Sequence, residues 1–238
     1  MNTTRMFRPI PIALTALIVF FGALGALAVS NATADAHRNS PHADHMTMPM
    51  TVAHKPALSK KALALHDGMR KLWEDHITWT RLAIISLEGG TPDTDATVAR
   101  LLKNQADIGN AVKPFYGKAA GNELTQLMRE HILIAADLIA AAKAGDNGKL
   151  ADAQARWLTN ADQIAALLHS ANPRYWPLGV MKAEMHMHLK LTTEEAVAHL
   201  QRRWNADVAA YDKVHRHILH MSDLLSDGLV KQFPRRFR

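Results

Sequence analysis

The chain has 238 residues, enough for one large domain or two small ones, with 48% hydrophobic and 21% charged residues. It has no Cys, which excludes disulfides, thiolate metal sites, catalytic thiols and a lipid-anchored Cys. The net charge of +6 is modest and aromatics are only 6%, with no basic and aromatic interleaving, so nucleic acid is not an expected partner.

Arg5 and Arg8 precede an apolar run from Ile10 to Val29, and Ala32-Thr33-Ala34 follows. A positive start, an apolar middle and a small-x-small end describe a secretory signal over residues 1–34. About twenty apolar residues also match an uncleaved membrane anchor, the one case in which a membrane is an expected partner. In both cases the rest of the chain is exported, to the periplasm or beyond. Cleavage after Ala34 leaves Asp35-Ala36-His37 as a new amino terminus. A free amine, two amides and the His37 imidazole then form a square-planar donor set suited to Cu(II) or Ni(II).

Residues 35–57 lack helical or strand periodicity and carry Pro41 and Pro49. They read as a disordered tail that buries no core. The tail holds His37, His42, His45, Met46, Met48 and Met50, with His54 beyond. Imidazole and thioether together suit copper in both oxidation states. The other reading is a linker of accidental composition.

From residue 58 to 238 the apolar period is helical, with no convincing strand. Leu65, Met69, Leu72, His76, Trp79, Ala83 and Leu87 mark a first helix, ended by Gly89-Gly90-Thr91-Pro92. Leu101, Asn104, Ile108 and Phe115 mark a second, stopped near Pro114 to Gly117. Leu124, Leu127, His131, Ile134 and Leu138 mark a third, ended at Gly145-Asp146-Asn147-Gly148. Leu150, Ala153, Trp157, Asn160 and Ile164 mark a fourth, ended before Pro173. A short fifth helix is expected over 177–189. Thr192 and Thr193 with Glu195 read as a capping box opening a long sixth helix to Gln232. The expected fold is all-α: an antiparallel bundle of five or six helices built from repeated helical hairpins.

The repeat rests on spacing. Asp107 follows His76 by 31 residues, and Asp162 follows His131 by the same interval. Asn205-Ala206-Asp207 echoes Asn160-Ala161-Asp162. Counted from the expected turns, His76, Asp107, His131, Asp162 and Asp207 lie in one layer roughly 21–23 Å from one end of the bundle. One reading is a structural clamp, each His hydrogen-bonded to its Asp inside a hairpin, with Asn104, Asn160 and Asn205, one turn nearer that end, tying helices together. The other is a bundle-core centre of iron, manganese or zinc; the paired Glu-x-x-His of di-iron bundles is absent. Met181, Met185 and His188, at i, i+4 and i+7, form a separate face that suits either core filling or a soft copper site.

Several strings carry a resemblance: Trp73-Glu74-Asp75-His76 with Trp79-Thr80-Arg81, Asn104 to Asn110, Glu130 to Asp137, and Gln232-Phe233-Pro234. Over residues 63–237 the chain resembles a group of exported bacterial helical proteins without an established role. Some carry a glycosyltransferase label, but the sequence has no β/α alternation and no nucleotide-binding loop. The resemblance implies the helical fold and export, and no mechanism. The functional expectation is an exported metal-binding protein, handling copper through the tail. The alternatives are a non-enzymatic interaction bundle and a bundle-core metalloprotein. No catalytic residue is expected, and any protein partner is unknown.

Overall fold

A computed structural model describes residues 58–238; the signal, the Asp35-Ala36-His37 terminus and the tail ligands lie outside them. The described chain is all-helical, with five helices and a closing 3₁₀ turn. They are α1 (Lys60–Gly89), α2 (Thr94–Ala144), α3 (Asn147–Ala171), α4 (Leu178–Leu200) and α5 (Trp204–Gln232), then the turn Pro234–Arg236. No described helix is long and apolar enough to cross a membrane.

Local chemistry sets the ends. Ser59 caps α1 by accepting the Ala62 N–H, and Asp146 caps α3 by accepting from Lys149. Gly90 and Gly145 end α1 and α2 in the left-handed region, at φ 63° and 68°, where a side chain is penalised.

Helix α2 doubles back. Pro114 lies three residues before Gly117, whose φ of 84° and ψ of 173° are not helical. Beyond it the two arms meet so closely that a Cβ on Gly109 would stand 2.5 Å from the Gly121 carbonyl oxygen. A straight helix would hold those residues about 18 Å apart. The sequence-expected second and third helices are therefore the two arms of α2.

Each helix packs on the next, and α5 also packs on α1, so the bundle closes on itself. Arg70 and Arg81 of α1 meet Asp223 and Asp207 of α5, which fixes opposite chain directions for that pair. Buried side chains from all five helices form one main core, with Ile77, Ile108, Ile164, Val214 and Ile218 at its centre. Trp176 sits over Gly228, where an added Cβ would stand 2.0 Å from its Nε1.

One expected boundary moves. Thr192, Thr193 and Glu195 do not open a helix; they lie inside α4. The Thr193 hydroxyl donates to the Leu189 carbonyl at 2.8 Å, the usual use of a Thr within a helix. The break falls at Gln201 to Arg203, with Arg202 at φ 56°. Asp207 is thereby in the first turn of α5 rather than mid-helix, and Asn205 is exposed.

Candidate metal centre

Three imidazoles fill the middle of the bundle. His76 of α1 is 1% exposed, His131 of α2 is 2% and His188 of α4 is 4%. His188 is the hub: its ring centroid lies 5.9 Å from that of His76 and 6.0 Å from that of His131. The ring of His217, from α5, stacks at 6.4 Å. Helix α3 supplies Trp157, 5.2 Å from His131, and Trp73 meets His76 edge-on at 5.5 Å.

The hydrogen bonds define which nitrogens are free. Asn160 donates its Nδ2 to the Leu127 carbonyl at 3.0 Å, so its Oδ1 is turned to His131. That oxygen accepts from His131 Nδ1 at 2.8 Å. The proton is thus on Nδ1, and Nε2 carries a bare lone pair. Asn104 repeats the first half of the tie, donating to the Leu72 carbonyl at 3.0 Å, and Gln105 donates to Asn104 Oδ1 at 3.2 Å. Leu72 and Leu127 each stand four residues before the buried His. His131 Nε2, His76 Nδ1 and His188 Nδ1 are buried with no partner. Orphaned buried polar atoms are uncommon, and these three sit on rings linked through His188, with Trp73 Nε1 and Trp157 Nε1 also unpartnered against the outer two.

Burial keeps these rings neutral. It pushes the His76 imidazole down to about 3 and His131 to about 4, and holds His188 well below its ordinary value. Repulsion from His131 adds to the shift at His76. Neutral imidazole is the form that ligates metal.

A second group of soft atoms adjoins the first. Met181, Met185 and Met221 line a small cavity of about 10 Å³ between α3, α4 and α5, with Glu184 beside them. His217 donates its Nε2 to the Glu184 carbonyl at 3.0 Å, and His220 faces the Glu184 carboxylate at 3.6 Å. Met181, Met185 and His188 do share one buried face of α4.

The expected layer of two His and three Asp does not form. Asp162 lies at the surface, bonded to Lys182 and His186 at 2.8 Å each. Asp107 is half-buried and makes no hydrogen bond or ion pair among the described residues. Asp207 is buried but bidentate on Arg81, which also reaches Glu195 at 2.9 Å. The reason is angular. Asn160 and Asp162 are two residues apart, about 200° around the helix, so only one can face the core. The amide goes in because burying it costs less than burying a carboxylate. Asp107 and Asp162 therefore make no clamp with His76 and His131; asparagine makes the contact.

The Arg81 group forms a second polar centre, which the sequence reading did not anticipate. Burial pushes Glu195 up to about 7, and Glu88, 2.7 Å from His199 Nδ1, up to about 6. Glu195 Oε2 has no partner. The sequence signal was present in Arg81 and Glu195, each charged on an apolar stripe.

Among the described residues, no three His, Asp or Glu side chains stand already closed around a metal position. The centroid distances say why. A shared ion at about 2.0–2.1 Å from each nitrogen places ring centroids about 5.2–5.5 Å apart. The two recorded pairs, His76–His188 and His131–His188, exceed that by roughly half an ångström, and no His76–His131 ring pair is recorded. No family model, curated protein or solved structure matches the chain.

Proposed function

We propose that this chain is an exported metal-binding helical protein that handles copper. The observation that carries the reading is the convergence of soft and borderline donors between α4 and α5. Three thioethers, Met181, Met185 and Met221, share one pocket, and His188 lies one turn beyond Met185. Thioether and imidazole select copper over the harder divalent ions. The Asp35-Ala36-His37 terminus and the tail ligands His42, His45, Met46, Met48 and Met50 extend the same chemistry in the sequence expected to follow a cleaved signal.

Competitive Cu(I) titration tests this. The mature chain is compared with a version lacking residues 35–55 and with the combined Met181→Leu, Met185→Leu, Met221→Leu variant. Loss of bound equivalents in each supports the reading. Equal, micromolar-or-weaker uptake by all three ends it.

A second reading is a non-enzymatic bundle whose buried His residues are clamps. The matched bonds from Asn104 to Leu72 and from Asn160 to Leu127 favour it. They also support a duplicated antiparallel hairpin as the building unit. On this reading His76→Ala lowers stability sharply while the purified protein carries no stoichiometric metal.

A further inference from the structure

We infer that His76, His131 and His188 form a resident site for a monovalent soft cation, Cu(I), closed off inside the bundle. The inference rests on the copper reading for its class of ion but uses different ligands from different helices. The donors are one unpartnered nitrogen from each of α1, α2 and α4, all buried. A purely structural imidazole gains nothing from an orphaned nitrogen, which costs about 1–3 kcal/mol when left unmade.

The arrangement around His131 is that of a held ligand. Ligating imidazoles characteristically give their other N–H to an oxygen that fixes tautomer and orientation. Asn160 does this for His131 and is itself fixed by the Leu127 carbonyl. Trp157 and Trp73 pack against the outer two rings and limit their rotation.

Charge selects the ion. No carboxylate is recorded in contact with His76, His131 or His188; Glu184 lies 3.7 Å from His217 Nδ1, and the His217 ring stacks on His188. A dication would sit there without compensation, and the cost of burying an ion rises with the square of its charge, about fourfold from one to two. A monocation with neutral imidazole ligands is the cheaper occupant. Cu(I) also accepts low coordination numbers, so it does not require all three rings to be equidistant.

The test uses the full chain with histidine labelled in ¹⁵N and Ag(I) as a redox-stable monovalent probe. The expected result is a joint shift of the bare nitrogens of His76, His131 and His188 to metal-bound values. His188→Leu is the matched variant, since His188 makes no recorded hydrogen bond and Leu fills its space. It is expected to lose one equivalent of Cu(I) in competition, while the triple Met→Leu variant keeps the imidazole shifts. The inference is overturned if only tail histidines respond while copper is still bound, which would leave the copper reading standing. It is also overturned if His188→Leu keeps the full complement. If neither Ag(I) nor Cu(I) is held anywhere, both readings fall.

Discussion

Asn160 holds His131 by one ring nitrogen and leaves the other bare. The bond does two jobs. It satisfies one side of a buried imidazole, and it fixes which nitrogen carries the bare lone pair. Asn160→Ala strips the buried His131 N–H of its partner, while the Leu127 carbonyl keeps its bond within the helix. We expect a loss of about 1–3 kcal/mol in urea unfolding, from that one orphaned buried group. Asp162→Ala, by contrast, removes a surface contact with Lys182 and His186 and should cost under about 1 kcal/mol. A larger loss at Asp162 than at Asn160 would restore the His–Asp clamp.

The neutral histidines predict acid lability with a defined sign. Their folded values lie below the ordinary one, so their contribution is complete above about pH 6.5 and is lost as pH falls toward 3–4. Each such group removes roughly 1.4 kcal/mol per pH unit in that window. Glu195 and Glu88 act oppositely. Their folded values are raised to about 7 and about 6, so their contribution is complete below the ordinary carboxylate value and lost as pH rises. The two effects partly cancel between pH 6 and 4.5, and the decline steepens below 4.5. His188→Leu should flatten the whole acid limb by the uptake of one proton, read from urea midpoints against pH. An unchanged slope contradicts burial of a neutral His188.

Arg81 is the only described cation recorded in contact with Glu195 and Asp207. Arg81→Ala leaves both carboxylates buried without it and should cost about 3–5 kcal/mol at pH 7. Without Arg81 the Glu195 carboxyl rises further and keeps its proton at pH 7, so part of that loss is recovered at pH 5, closer to the range where the unfolded chain binds the same proton. Arg81→Lys cannot reproduce the fork and should recover only part of it. Thermal melts at the two pH values check all three statements.

Gly228→Ala drives a Cβ into the Trp176 indole. Trp176 is 1% exposed and its Nε1 donates to the Leu224 carbonyl at 3.4 Å, so it has little room to retreat. A loss of about 2–3 kcal/mol is expected from overpacking, with Trp fluorescence altered in the folded state. A neutral outcome would mean that the ring moves freely.

Much of the fold was legible because period and breakers agreed. The stripes through Leu65 to Leu87 and Leu150 to Ile164, closed by Gly90, Gly145 and Pro173, gave α1, both arms of α2, and α3 nearly as they stand. The join between α4 and α5 was misplaced because Thr192-Thr193 with Glu195 mimics a capping box, while the real break at Gln201 to Arg203 carries no Gly or Pro. The site was half legible. His76 and His131 lay on apolar stripes, and Met181, Met185 and His188 shared a face. What joined these two sets was packing of α4 into the closed ring, which no spacing within one helix encodes. Asp107 and Asp162 misled because the 31-residue interval measured depth along the bundle and left out angle around each helix.

The account stands most directly on a competition titration of the full chain with Cu(I). One sample is the natural sequence; the other combines Met181→Leu, Met185→Leu, Met221→Leu and His188→Leu. The natural chain should hold Cu(I) against the chelator, and the combined variant should give up the equivalents bound within residues 58–238 while remaining folded. Surrender of all copper by the natural chain, or retention of the full number by the variant, would contradict it.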